Sequence, residues 1–158
     1  MPAIRESIPA ADSYLRELGR ATYNFAYLEW GIVWLTETLE PGFLSVAETL
    51  PAGGIAKRFA KAVERVPSSD VDRPELVELS KSFLDIVKER NRLIHGNPFT
   101  AEGGEQRLLY SGRHGRKDWT EQLIQQFSDV AATLGAEAGH LLHNGRYERW
   151  QHRSDRQF

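Results

Sequence analysis

Residues 73–98 read RPELVELSKSFLDIVKERNRLIHGNP, and their spacing decides the fold class. Apolar side chains at Leu76, Leu79, Phe83, Ile86, Val87, Leu93 and Ile94 fall largely three or four residues apart, the period of one face of an α-helix. Asp72-x-x-Glu75 has the spacing of a capping box, with Asp in place of Ser or Thr, and Pro74 falls in the first turn, where a missing N–H costs little. Gly96 suits the left-handed position that closes a helix, and Pro98 prevents continuation. The apolar row has one break. Continued at this spacing from Ile86, it meets Arg90. A charge on a core-facing row is expensive unless it is matched or its head reaches water. Asn91 and His95 are four apart and share the neighbouring face. His95 also lies in the last turn, where the helix dipole favours positive charge. Arg90 is five residues from His95, about 140° around the helix, so the two do not stack directly.

A longer helix precedes this one. Tyr14, Leu18, Ala21, Phe25, Leu28, Ile32, Leu35 and Leu39 follow in steps of four and three, which predicts a helix from about residue 10 to residue 39. Beside that seam runs a second row, Tyr23, Tyr27, Trp30 and Trp34, which needs cover from another helix or another subunit. Pro41 and Gly42 stop the helix. A brief amphipathic helix follows, with Ile55, Phe59 and Val63 on one face. A final long helix is expected to start at Asp118-x-x-Glu121 and to run through Leu123, Phe127, Val130, Leu134 and Leu141 to about His143. Between Gly96 and that helix lies a stretch rich in glycine and basic residues, a loop or a small hairpin within RLLYSGRHGRKDW. These elements predict an all-α fold: an up-down helical bundle of four main helices, with a short Gly-rich loop or hairpin before the last.

Composition narrows the chemistry. The chain has 158 residues, enough for one hydrophobic core, with 41% apolar and 27% charged residues. It has no cysteine, so thiolate zinc sites and a cysteine nucleophile are excluded. No stretch has the length and apolarity of a membrane helix, and the start MPAIRESIPAADSY lacks the pattern of a signal peptide, so a cytoplasmic protein is expected. The formal net charge of −2 means that any nucleic-acid contact must come from a local patch. Phosphate-binding glycine loops and a nucleophile elbow are absent. Glu137-x-x-His140 has the spacing of a di-iron ligand pair, but such a site needs two pairs and two further glutamates. No metal and no cofactor is expected.

At Arg90-Asn91-Arg92-Leu93-Ile94-His95 the chain resembles a HEPN domain, a helical-bundle family recognised by an R-x-x-x-x-H motif near the end of a long helix. A polar residue, often Asn, commonly follows the arginine, as Asn91 does here. The resemblance implies a homodimer in which two motifs face each other and form one RNA-cleaving cleft that uses no metal. It assigns the catalytic roles to Arg90, Asn91 and His95, and it implies an RNA substrate, a toxin or phage-defence role and an antitoxin protein as partner. Some members carry a tyrosine two residues after the histidine, which a partner enzyme modifies; here that position is Asn97. Residues 1–145 would form the HEPN-like bundle and residues 146–158 a polar, basic tail.

The chemistry is sound without the family. Cleavage of RNA through its own 2′-hydroxyl requires a base, an acid for the leaving 5′-oxygen and positive charge for the phosphorane. Histidine serves either of the first two roles near neutral pH, and arginine supplies the third. The loop residues Arg107, Arg113, His114, Arg116 and Lys117, with Tyr110 and Trp119 flanking, suit single-stranded RNA through charge and stacking, and Arg92, Arg113, Arg116 and Lys117 are the expected RNA contacts. The bland alternative pairs Arg90 with Glu29 or Glu37 on the first helix and leaves His95 as a capping residue.

Overall fold

A computed structural model describes residues 9–154. Residues 1–8 of the expected bundle and residues 155–158 of the expected tail lie outside the described residues. The helices are α1 (Asp12–Leu39), α2 (Leu44–Ala47), α3 (Ala52–Glu64), α4 (Arg73–Ile94), α5 (Glu121–His143) and α6 (Arg146–Ser154). Strands β1 (Asn97–Thr100), β2 (Gln106–Gly112) and β3 (Gly115–Trp119) lie between α4 and α5.

The expectation of an all-α chain is corrected here. The described residues contain a three-stranded antiparallel sheet of order β1-β2-β3. The β2–β3 hairpin closes over Arg113 and His114, with Gly112 opposite Gly115 and Gly115 at φ 95°, a conformation open to glycine. Strand β1 carries no sequence pattern of its own. It is four residues long and contains Pro98, which an edge strand tolerates because one side of an edge needs no N–H.

The seam of α1 packs against α5 and α3, and α4 packs against α3 and α5. Phe25 lies between Phe83 of α4 and Phe127 of α5, with ring centroids 6.2 Å away on both sides. The sheet joins this core through Trp119, which is fully buried and meets Phe127 edge-on. Tyr14 fixes the junction. Its hydroxyl donates to the Trp119 carbonyl and accepts from the Leu108 N–H, both at 2.9 Å. Leu108 and Trp119 are register partners, so the hydroxyl is inserted between the two strands where the hairpin meets the bundle.

Several boundaries have causes other than those read from sequence. Asp118 belongs to β3, and Thr120 caps α5 by accepting from the Leu123 N–H. Asp72 precedes α4, but its side chain takes Arg146 rather than a helix N–H. Gly96 is not left-handed; its need for glycine is closeness, because a Cβ there would stand 3.0 Å from that of Leu108. The first nine residues of the expected tail form α6. Arg146, itself buried, pairs with Asp70 at 2.7 Å and Asp72 at 3.0 Å, while Tyr147 and Trp150 close edge-on over Trp34.

Candidate functional site

The sheet decides what surrounds His95. Strand β1 begins two residues after it, and the register pairs Asn97 with Leu109. An antiparallel partner continues in the opposite direction, so the residues after Leu109 run back alongside the end of α4. This brings Tyr110 and the turn residue His114 to Lys88, Asn91, Arg92 and His95. The six residues line one cleft of about 250 Å³.

Polar contacts fix the hairpin tip over the helix. Arg92 donates to Glu89 at 2.7 Å through Nη1 and to the His114 carbonyl at 3.3 Å through Nη2. Glu89 also pairs with Lys117 of β3, whose ammonium lies 4.2 Å from the centroid of the Trp119 ring. One carboxylate thus joins two cations from different elements. The cleft's other cation, Lys88, pairs with Asp85 at 2.7 Å, so both cations that line the cleft have a carboxylate partner.

Arg90 takes a different direction. Its guanidinium lies 5.5 Å from the centre of the Phe25 ring, and Nη1 donates to Asn91 Oδ1 at 3.1 Å. Among the described residues it forms no ion pair with Glu29 or Glu37. The Glu37 carboxylate instead accepts the N–H groups of Gly42 and Leu44, at 3.0 and 2.8 Å, and so shapes the turn after α1. Glu29 stands closer to Arg90. Burial pushes the Glu29 carboxyl up from its ordinary value, and the charge of Arg90 opposes that push. A half-buried arginine on an aromatic face, beside a carboxylate that is not in contact, avoids the cost of an unmatched buried charge.

Of the three residues assigned to catalysis by resemblance, the fold therefore brings Asn91 and His95 into one cleft. It sets Arg90 behind them, coupled through the Asn91 oxygen. The four expected RNA contacts divide as well. Arg92 lines the cleft and Lys117 supports the hairpin, both in ion pairs. Arg113 and Arg116 are exposed on the hairpin. His114 is the residue that sequence reasoning placed only among basic loop residues; a histidine beside glycine in a two-residue turn gave no sign of where the turn would fold. Glu137 and His140 line a separate groove with Glu75 and Glu78. Among the described residues no group of three or more His, Asp or Glu side chains is placed to hold a metal ion, and no helix is long and apolar enough to cross a membrane.

No protein-family model, curated protein or solved structure matches the chain.

Proposed function

We propose that this protein is an endoribonuclease that cleaves RNA through the RNA's own 2′-hydroxyl, without a metal ion, and that it works as a homodimer. One observation carries the reading: His95 and Asn91 line an open cleft together with Lys88 and Arg92, and Arg90 is bonded to Asn91 directly behind it. In this cleft an imidazole takes the proton of the 2′-hydroxyl as O2′ bonds to phosphorus. The P–O5′ bond breaks, and an imidazolium returns a proton to O5′. The products are a 2′,3′-cyclic phosphate and a 5′-hydroxyl. Lys88 and Arg92 offset charge on the phosphorane oxygens. Asn91 Oδ1 is occupied by Arg90, which orients the amide N–H groups as donors to a phosphate oxygen.

The dimer is supported by α1. Tyr23, Tyr27 and Trp30 remain 72%, 60% and 55% exposed, an aromatic strip that a second copy would cover. A toxin or phage-defence role and control by an antitoxin protein follow from the resemblance alone, whereas a cytoplasmic setting follows from the sequence pattern of the chain. A second reading has one observation in its favour. Arg90 does not line the cleft, as suits a HEPN-like module that binds RNA, a nucleotide or a partner protein without turnover.

The test is incubation with end-labelled RNA in excess EDTA. Wild type is expected to cleave, His95→Ala to lose cleavage and Arg90→Ala to fall sharply. Equal activity in all three, or loss of wild-type cleavage on adding EDTA, would discard the mechanism.

A further inference from the structure

We infer that His114 is the second imidazole of the reaction, so that one protomer carries both the acid and the base. The inference rests on the ribonuclease reading and deepens it. The motif alone offers a single histidine per chain, and a mechanism with separate acid and base would then draw the other from a second subunit. The fold brings a second histidine to the same cleft, so the acid–base pair does not depend on the homodimer, which the exposed aromatic strip of α1 supports separately.

Three features of the cleft support the assignment. His95 is the capping residue that follows α4 and His114 lies in the β2–β3 turn, so two different elements bring a histidine to the same 250 Å³ space. In-line displacement places the attacking and leaving oxygens on opposite sides of phosphorus, which calls for proton-transfer groups on opposing sides. The turn is also held by its backbone. Arg92, anchored on Glu89, donates to the His114 carbonyl rather than to its ring, so this bond seats the hairpin without engaging the imidazole. Finally, Tyr110 also lines the cleft, and its aromatic ring is of the kind on which a base adjoining the scissile phosphate stacks.

The titratable and charged groups that line the cleft with the two histidines are Lys88 and Arg92 from α4 and Tyr110 from β2; Lys88 pairs with Asp85 at 2.7 Å and Arg92 with Glu89 at 2.7 Å. Among the described residues no carboxylate lines the cleft itself. The two imidazoles are thus the side chains of the cleft whose chemistry serves both as general acid and as general base. One imidazole removes the 2′-hydroxyl proton and leaves protonated. The other, protonated at the start, gives its proton to O5′ and leaves neutral. The pair exchanges roles before the next turnover, with no net change of charge and no further reactant.

The experiment compares wild type, His95→Ala, His114→Ala and His140→Ala in EDTA across the pH range. His140 is an exposed imidazole of a separate groove. Wild type and His140→Ala are expected to give a bell-shaped profile. His114→Ala should lose about 100- to 10,000-fold in kcat and one limb of the bell. Because Arg92 binds the carbonyl at residue 114, His114→Ala should keep the folded spectrum and melting temperature of wild type. A parallel titration with cytidine 3′-monophosphate, read on the imidazole Cε1–H resonances, should move both His95 and His114. A His114→Ala enzyme with wild-type rate and an intact bell would overturn the assignment while leaving the nuclease reading in place. Movement of the His95 resonance alone would overturn it too. Absence of cleavage by wild type would sink the nuclease reading, and the catalytic assignment with it. The nucleotide titration would still report whether the two rings share one phosphate site.

Discussion

Replacing Tyr14 with Phe isolates the joint between sheet and bundle. The ring stays, so packing is retained and only the hydroxyl is lost. That hydroxyl donates to the Trp119 carbonyl and accepts from the Leu108 N–H, and the Tyr14 side chain is 6% exposed. Leaving a buried polar group without its partner costs about 1–3 kcal/mol. Two groups are affected, but Leu108 is only partly buried, and a peptide carbonyl has a second lone pair. A loss of about 2 kcal/mol follows, or a fall in Tm of about 4–8 °C for a chain of this size. Urea unfolding measures the first, and amide exchange should show faster opening at Leu108. The phenol adds a pH signature. Burial raises the Tyr14 pKa above its ordinary value of 10.0, which the Leu108 N–H partly opposes. A raised folded value makes this contribution fully present below pH 10 and progressively lost as pH climbs through the folded value. Tyr14→Phe should therefore flatten part of the alkaline decline. A loss under about 0.5 kcal/mol, with Leu108 exchange unchanged, would show that the strands close their own ladder and that the inserted hydroxyl is incidental.

Other substitutions probe the remaining joints. Gly96→Val should destabilise by about 1–3 kcal/mol, since its side chain would press on Leu108 and the Leu93 carbonyl; a neutral result in thermal melts would mean that the strand can shift away. Arg146→Met should cost about 1–3 kcal/mol in urea unfolding, less than a broken buried pair usually does, because α6 can lift and return Asp72 to water. Burial alone pushes the Asp70 carboxyl up, yet the Asp72 N–H and Arg146 together hold it below its ordinary 3.8. This contribution is present above that value and lost as pH falls through the folded one, so Arg146→Met should show a shallower acid decline. Glu89→Gln should change stability by under about 1 kcal/mol, because its ion pairs are partly exposed, while filter binding should show tighter RNA association and a steeper salt dependence.

The long helices were legible because apolar periodicity and burial have the same cause. Tyr14, Phe25, Leu28 and Ile32 of the first seam and Leu76, Leu79, Phe83 and Ile86 of the later one are all in the core. Arg90 was legible as an anomaly but not in its resolution, since an aromatic face from another helix leaves no trace in local spacing. The sheet was half legible. Glycines and a turn cluster marked the hairpin, whereas β1 exists only because β2 returns beside it, a non-local pairing that a short strand containing proline cannot announce. The same pairing hid His114. Its place beside His95 depends on register, not on sequence distance. The helix in the tail was hidden because Arg146 finds its carboxylates about 75 residues earlier in the chain, at Asp70 and Asp72.

The central claim is that the cleft between the end of α4 and the hairpin tip cleaves RNA by way of its 2′-hydroxyl. End-group analysis of the RNA fragments formed in EDTA tests it most directly, using an oligonucleotide and its twin with a single 2′-deoxy sugar at the cleaved position. The account predicts 2′,3′-cyclic phosphate and 5′-hydroxyl ends from the first and an intact second. Fragments ending in 3′-hydroxyl and 5′-phosphate, or equal cleavage of both oligonucleotides, would contradict it.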